Sequence, residues 1–336
     1  MRWLVTGGAG FIGSHLVRSA LAHGWADQVV VLDALTYAGN LENLTAVEEH
    51  PGFRFVRGDV AEPSAVAAAF KDGVDAVFHL AAESHVDRSI EAAAPFVRTN
   101  VLGTQVLVDL ARAAGVRRFV QVSTDEVYGT LALDSGERFT EASPLKPSSP
   151  YAASKAAADH LVLAQHRTFG FDAVVTRASN NYGPYQFPEK FIPLCVTHAL
   201  ESKPLPLYGD GRHVRDWLHV DAHVRGLHSA FLRGRAGEIY NLGGECERAN
   251  VDVARAICAV CGVGVERIEQ VRDRPGHDRR YALAIDKARG ELGFDPGPPI
   301  ESRLSELVTW YRNERAWWER VKAGEYRSYY ERRYAR

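Results

Sequence analysis

The chain has 336 residues, 46% of them hydrophobic and 24% charged, which fits an ordinary globular protein of one large or two modest domains. Its 40 Lys and Arg against 42 Asp and Glu leave a net charge of −2, which excludes the cation excess that grips nucleic acid without regard to sequence. No run approaches the roughly 20 apolar residues of a membrane span, so neither a nucleic-acid nor a membrane partner is expected.

The chain enters through Met1-Arg2-Trp3-Leu4-Val5-Thr6, with a strand at Trp3-Leu4-Val5, and reaches a glycine turn at once. That leaves no leader to cleave, and the expected location is cytoplasmic. Gly7-Gly8-Ala9-Gly10-Phe11-Ile12-Gly13 is a GxxGxxG loop, followed by a helix from Phe11 to His23. Glycines so spaced permit a tight turn and close backbone approach to a pyrophosphate, and the helix N-terminus offers unpaired N–H groups. Gly7, Gly10, Phe11, Ile12 and Gly13 are therefore assigned to a dinucleotide.

A second strand, Val29-Val30-Val31-Leu32, closes on Asp33. A carboxylate there accepts hydrogen bonds from the adenosine ribose and repels a 2′-phosphate, so NAD is expected rather than NADP. The third strand, Phe53 to Val56, leads to Asp59, suited to the adenine amino group. A fourth, Ala76 to Leu80, ends in Leu80-Ala81-Ala82, small enough to pass beside the cofactor. Asn100 to Ala114 reads as a helix and Phe119 to Ser123 as a fifth strand. Continuous apolar strands alternating with helices indicate a parallel sheet covered on both faces, an α/β Rossmann-type doubly wound fold.

After the fifth strand comes Ser123-Thr124-Asp125-Glu126-Val127-Tyr128-Gly129. Strand C-termini in such sheets face the ligand crevice. A simple oxidoreductase has work for the hydroxyl but none for two adjacent carboxylates. An elimination of water needs both, one to remove a C–H proton and one to protonate the departing hydroxyl. The plainer alternative is a solvated acidic turn. Tyr151-Ala152-Ala153-Ser154-Lys155 then places Tyr151 and Lys155 on one face of a starting helix. The lysine is expected to lower the phenol's pKa, so that it takes a proton from a substrate hydroxyl as hydride leaves the same carbon. Alone, the pair could be a surface Tyr–Lys contact; behind a dinucleotide loop it reads as catalytic.

The second half is richer in loops, with proline and glycine at Pro144 to Pro150, Gly183-Pro184, Pro204 to Gly211 and Pro296 to Pro299. Such loops on a rigid sheet usually carry the substrate site. Asn180, Lys190 and Arg215 suit a diphosphate, and Pro206-Leu207-Tyr208 suits packing on a base. The expected division is a cofactor domain over 1–178 with a return segment around 217–242, and a smaller substrate domain over 179–216 and 243–336. Cys258 and Cys261 form a CxxC with no second half to complete a zinc site, so the expectation is packing on one helix face. His79, His85 and His223 lie in unrelated segments, and no metal is expected. The Tyr- and Arg-rich end, with Tyr326, Tyr329, Tyr330 and Tyr334, reads as a packed or interfacial terminus.

Taken together, the glycine loop, Tyr151 with Lys155, and Thr124-Asp125-Glu126 resemble the extended short-chain dehydrogenase/reductases, in their nucleotide-sugar dehydratase branch. Further matching stretches are Leu35 to Asn40, Ala81 to Ser89, Ser179 to Tyr185, Pro188 to Phe191 and Asp273 to Asp278. The resemblance implies a homodimeric lyase that uses NAD as a regenerated cofactor on dTDP-glucose. It implies that Tyr151 takes the 4-hydroxyl proton, Thr124 bonds the 4-oxygen, Glu126 takes the C5 proton and Asp125 protonates the departing 6-hydroxyl. Lys155 would also hold the nicotinamide ribose, and the product would be the 4-keto-6-deoxy sugar nucleotide. Val60, Thr99 and Asn181 carry over as cofactor contacts. Ser84, Phe191, Asn250, Arg274 and His277 carry over as substrate contacts. Three alternatives stay open: a nucleotide-sugar 4-epimerase, a dehydratase of UDP- or GDP-sugars, and a non-catalytic dinucleotide-binding regulator.

Overall fold

The computed structural model describes residues 1–324. In chain order its strands are β1 (Arg2–Thr6), β2 (Gln28–Asp33), β3 (Phe53–Arg57), β4 (Ala76–His79), β5 (Arg118–Thr124), β6 (Ala173–Ala178), β7 (Asn180–Tyr182), β8 (Leu205–Tyr208), β9 (Val214–His219), β10 (Ile239–Leu242), β11 (Glu247–Ala249) and β12 (Ile268–Val271). Seven of them form one sheet in the order β10-β6-β5-β4-β1-β2-β3, and every pairing in it is parallel.

The apolar runs of these strands are continuous because both faces are buried. Trp3, Val5, Val29, Val31 and Phe78 enter one core with Leu16 and Leu227. Their neighbours Leu4, Val30, Leu32, Val77 and Phe119 enter a second with Leu107 and Val162. Strand order runs outward from β1 to β3, then jumps back to β4 on the other side of β1. The helical connections therefore leave on opposite faces at β1 and β4, and a crevice opens at the strand C-termini there.

One boundary differs from the sequence reading. The helix read as Asn100–Ala114 begins earlier, at Ala94, and passes through a widened π-helical turn over Val97–Leu102 before Gly103–Ala113. Apolar periodicity could not reveal that turn, which a tertiary clamp holds. Asn100 accepts from the Glu83 N–H (2.9 Å) and donates to the Glu83 carbonyl (3.0 Å) and Ser154 Oγ (2.8 Å). The return to the large sheet runs through the helix Val220–Arg233 into β10, whereas Trp217–His219 belong to β9 in a small sheet ordered β11-β9-β7.

A third core joins that sheet to the helices Phe191–Leu200, Asn250–Cys261 and Ile300–Asn313. Tyr182, Val196, Ile257, Leu304 and Trp318 meet in it. Cys258 is buried there too, and all four cysteines are free. Among the described residues no helix is long and apolar enough to cross a membrane. The tyrosines from Tyr326 to Tyr334 lie outside the described residues.

Candidate active site

The crevice over β1, β4 and β5 contains a cavity of about 350 Å³, within the range of small-molecule sites. Its floor is bare backbone. Gly7 has φ +68°, and a Cβ there would sit 2.7 Å from the Ala81 nitrogen. A Cβ at Gly13 would sit 2.2 Å from the Gly7 carbonyl oxygen. Above this floor the helix Phe11–Ala22 starts at Gly10, with no side chain capping it. At the end of β2, Asp33 accepts from the N–H groups of Ala9 (2.9 Å) and Leu35 (2.8 Å), and each oxygen keeps a further lone pair. Burial pushes its pKa up, and those two N–H groups draw it back. A glycine cradle that a side chain would fill, at a helix N-terminus and beside a buried carboxylate, fits a dinucleotide with a free ribose diol. Every residue assigned to the cofactor from the sequence, from Gly7 to Asn181, lines this one cleft. Asn181 is held by His223 (Nδ1 to Oδ1, 2.9 Å) and by the carbonyl of Ser179.

The residues assigned to the chemistry from the sequence stand at the mouth of β5. The strand ends at Thr124, whose hydroxyl accepts from the Glu126 N–H (3.3 Å) and caps a single turn over Asp125–Tyr128. Thr124 also donates to Asp125 Oδ1 (3.3 Å), while Asp125 Oδ2 is buried without a hydrogen bond. Burial first, then the neighbouring Glu126 and Asp216, push the Asp125 pKa well above the carboxylate range. Burial raises Glu126 too, but Arg274, Arg215 and Lys190 pull against it. Burial thus raises both carboxyls, Asp125 further because a second and third carboxylate add to it, and Glu126 less because three cations oppose it.

Facing them is the helix Pro150–Phe169, started by Ser149, which accepts from the Ala152 N–H (3.1 Å), and by Pro150 in its first turn. One face brings Tyr151 and Lys155 to the cleft. The expected influence of Lys155 on Tyr151 needs correction. Lys155 donates to the carbonyl of Val122 (2.7 Å), and burial lowers its pKa to about 8 against the opposing Asp159. Tyr151 is instead held well above its ordinary value by burial and then by Glu126, with a hydrogen bond from Thr124 acting the other way. The ammonium points at the strand, and the nearer charge on the phenol is negative.

Of the substrate assignments, Ser84, Thr124, Asn180 and Lys190 line the same cleft. Lys190 donates to the Ser84 carbonyl (3.0 Å), tying two of the loops together. Phe191, Pro206, Tyr208, Arg215, Asn250, Arg274 and His277 do not line it. Several of these gather beyond Glu126: Tyr208 and Arg274 both bond Asp87 (2.8 and 3.3 Å), and His277 bonds Asp273 (2.6 Å). Phe191 stacks on Trp217. Arg215, expected to offer its fork to a diphosphate, donates from both terminal nitrogens to the carbonyls of Val214 (2.8 Å) and Asp278 (3.0 Å).

His213, Asp273 and His277 bring three ligand-type atoms within 4.8 Å of one another, a grouping the sequence did not suggest. Arg279 lies 3.3 Å from His213 Nε2 and pairs with Asp210.

Tyr37, Glu189, Trp317 and Val321 are among the cleft residues that escaped the sequence assignment. Tyr37 contacts Ser84 Oγ (3.3 Å), and Glu189, whose oxygens are buried without a hydrogen bond and whose Oε2 lies 3.5 Å from Arg88 and 3.6 Å from His85, has its pKa pushed up to about 7 by burial. Both fell inside stretches already singled out, so they were within reach. Trp317 and Val321 line the cleft from the far end of the chain, and no sequence signal pointed to them.

The sequence matches the model of the NAD dependent epimerase/dehydratase family over residues 3–243. It is 50% identical over 327 residues to a dTDP-glucose 4,6-dehydratase of Streptomyces niveus, covering 96% of each chain. The fold superposes on a dTDP-glucose 4,6-dehydratase from Streptomyces venezuelae solved with NAD bound, with a TM-score of 0.93 and 52% identity over 96% of this chain and 100% of that one. A dTDP-glucose 4,6-dehydratase of Bacillus anthracis in complex with NAD gives a TM-score of 0.89 at 46% identity, again over 96% and 100%.

Proposed function

The chain belongs to the NAD-dependent epimerase/dehydratase family, and within it we propose the activity of a dTDP-glucose 4,6-dehydratase, giving dTDP-4-keto-6-deoxyglucose. NAD, held by the glycine loop and Asp33, would supply a hydride acceptor for C4 and a hydride donor for C6. The proton movements fall to the chain. Tyr151 removes the 4-hydroxyl proton and Thr124 holds the 4-oxygen, at the end of β5 where both line the cleft. The 4-ketone makes the C5 proton acidic. Glu126, where Arg274, Arg215 and Lys190 oppose the effect of burial, removes it and gives a proton back to C5 when hydride returns at C6. Asp125, kept protonated by burial and by its neighbour's charge, delivers its proton to the departing 6-hydroxyl. Lys155 holds the cofactor ribose.

The observation that carries this reading is the adjacent Asp125–Glu126 pair in one cleft with Tyr151, both raised by burial, with Asp125 raised further and Glu126 restrained by three cations. A 4-epimerase only removes and returns hydrogen at C4, so it has no task for an acid and a base at C6 and C5. In the same reading 1–178, with the return through β10, holds NAD and the remainder holds the nucleotide sugar. The protein acts as a homodimer in the cytoplasm, a compartment in which four free thiols stay reduced.

Incubation with dTDP-glucose and, separately, UDP-glucose tests it. The alkali-sensitive absorbance of a 4-keto product should appear with dTDP-glucose and much more slowly with UDP-glucose. Recovery of a C4 epimer that retains its 6-hydroxyl would replace dehydration with epimerisation.

A further inference from the structure

The last described helix, Arg315–Ala323, reaches back to the first loop of the chain. Trp317 and Val321 line the same cleft as the glycine loop, and Trp317 is only 4% exposed. The Trp317 indole N–H donates to Asn43 Oδ1 (3.0 Å), and Asn43 Nδ2 donates to the carbonyl of Ala9 (2.9 Å). Ala9 stands inside the glycine loop, and its own N–H is bonded to Asp33. One chain of hydrogen bonds therefore runs from the C-terminal helix through Asn43 and the glycine loop to the ribose-binding carboxylate. A second tie lies alongside, where the Arg320 guanidinium pairs with both carboxylate oxygens of Glu42. Tyr185 backs this wall. Held at φ +62°, it sits 4.8 Å from the Trp310 ring and 5.6 Å from Trp317, with the Arg18 guanidinium 4.3 Å from its own centroid. A non-glycine residue held at such a φ is uncommon and marks packing that over-determines it.

We propose that the Arg315–Ala323 helix is a latch on the dinucleotide. Trp317 is a cofactor-retaining residue that closes the outer wall of the cleft and, through Asn43, fixes the glycine loop. NAD leaves only when Trp317 and Arg320 let go of Asn43 and Glu42. A latch suits a cofactor that ends each cycle as it began and has no reason to exchange. The inference rests on the NAD-dependent reading above.

The test measures release of NAD from purified holoenzyme, with free NAD captured and reduced by an excess of alcohol dehydrogenase and ethanol. Trp317→Phe keeps a smaller aromatic ring in the wall and removes the indole N–H that bonds Asn43. Arg320→Ala alters an exposed side chain, so folding is not at stake. Each should release NAD about threefold to tenfold faster than wild type, the range expected for one modest polar tie, and the double variant should be faster than either. Circular dichroism checks that the variants are folded. Wild-type protein that holds NAD, with both variants releasing it at the wild-type rate, would overturn the latch and leave the cofactor reading intact. Wild-type protein that neither carries nor takes up NAD would overturn both.

Discussion

Replacing Asp125 by Asn and Glu126 by Gln separates elimination from oxidation. Both substitutions preserve shape. Asparagine cannot deliver the acidic proton that burial keeps on Asp125, and glutamine cannot accept the C5 proton. The structure also says what they do to the preceding step. After burial, the largest influence holding the Tyr151 proton in place is Glu126, and Asp125 acts in the same direction. Removing the Glu126 charge lowers the phenol's pKa, and Asp125→Asn replaces one neutral group by another, so oxidation at C4 should proceed at least as fast as in wild type. Overall turnover should fall by about 10²–10⁴, the usual worth of one general acid or base. Enzyme-bound NADH should therefore accumulate on mixing with dTDP-glucose, visible in stopped flow near ~340 nm because the reduced cofactor carries the hydride. Glu126→Gln should also slow exchange of the C5 hydrogen with deuterated solvent, while Asp125→Asn should still exchange it and fail to lose water. If both variants bind NAD and substrate yet form no NADH, the carboxyls serve the oxidation and the elimination assignment is wrong.

Tyr151→Phe deletes one oxygen from a buried ring, so the fold should persist while NADH formation itself slows by about 10²–10⁴; a near-normal rate would move the base elsewhere. Asp33→Ala should narrow the preference for NAD over NADP, read as the ratio of the two dissociation constants. It should also lower the melting temperature, because the N–H groups of Ala9 and Leu35 lose their acceptor. An unchanged ratio would remove Asp33 from cofactor choice. Glu189 titrates at about 7 in the fold against 4.5 unfolded. Its protonated form is the favoured one, so its contribution to stability is fully present below pH 4.5 and lost as pH rises through about 7. Glu189→Gln should therefore gain stability relative to wild type between pH 5 and pH 8, by on the order of 1–3 kcal/mol in denaturant titrations. A pH-independent difference would mean that Glu189 is already ionised at pH 5.

Spacing along the chain determined whatever lies within one turn or one strand end. The glycine loop, Asp33, the Thr124 to Glu126 triplet and the Tyr151–Lys155 pair were all legible. Each is a local pattern whose position at a strand or helix terminus implies the direction it faces. Tertiary packing decided the rest. Lys155 sits beside Tyr151 in sequence, yet its ammonium goes to the Val122 carbonyl, and Glu126 from another element sets the phenol's field. The π-helical turn at Val97–Leu102 is held by Asn100 gripping Glu83 and Ser154. Arg215 looked like an equal of Lys190, but of the two only Lys190 lines the cleft. Trp317 closes the site from the opposite end of the chain. A pKa, like the wall of a cavity, sums contributions from every group the fold brings near. Sequence spacing reports only the neighbours that one helix turn or one strand holds in place.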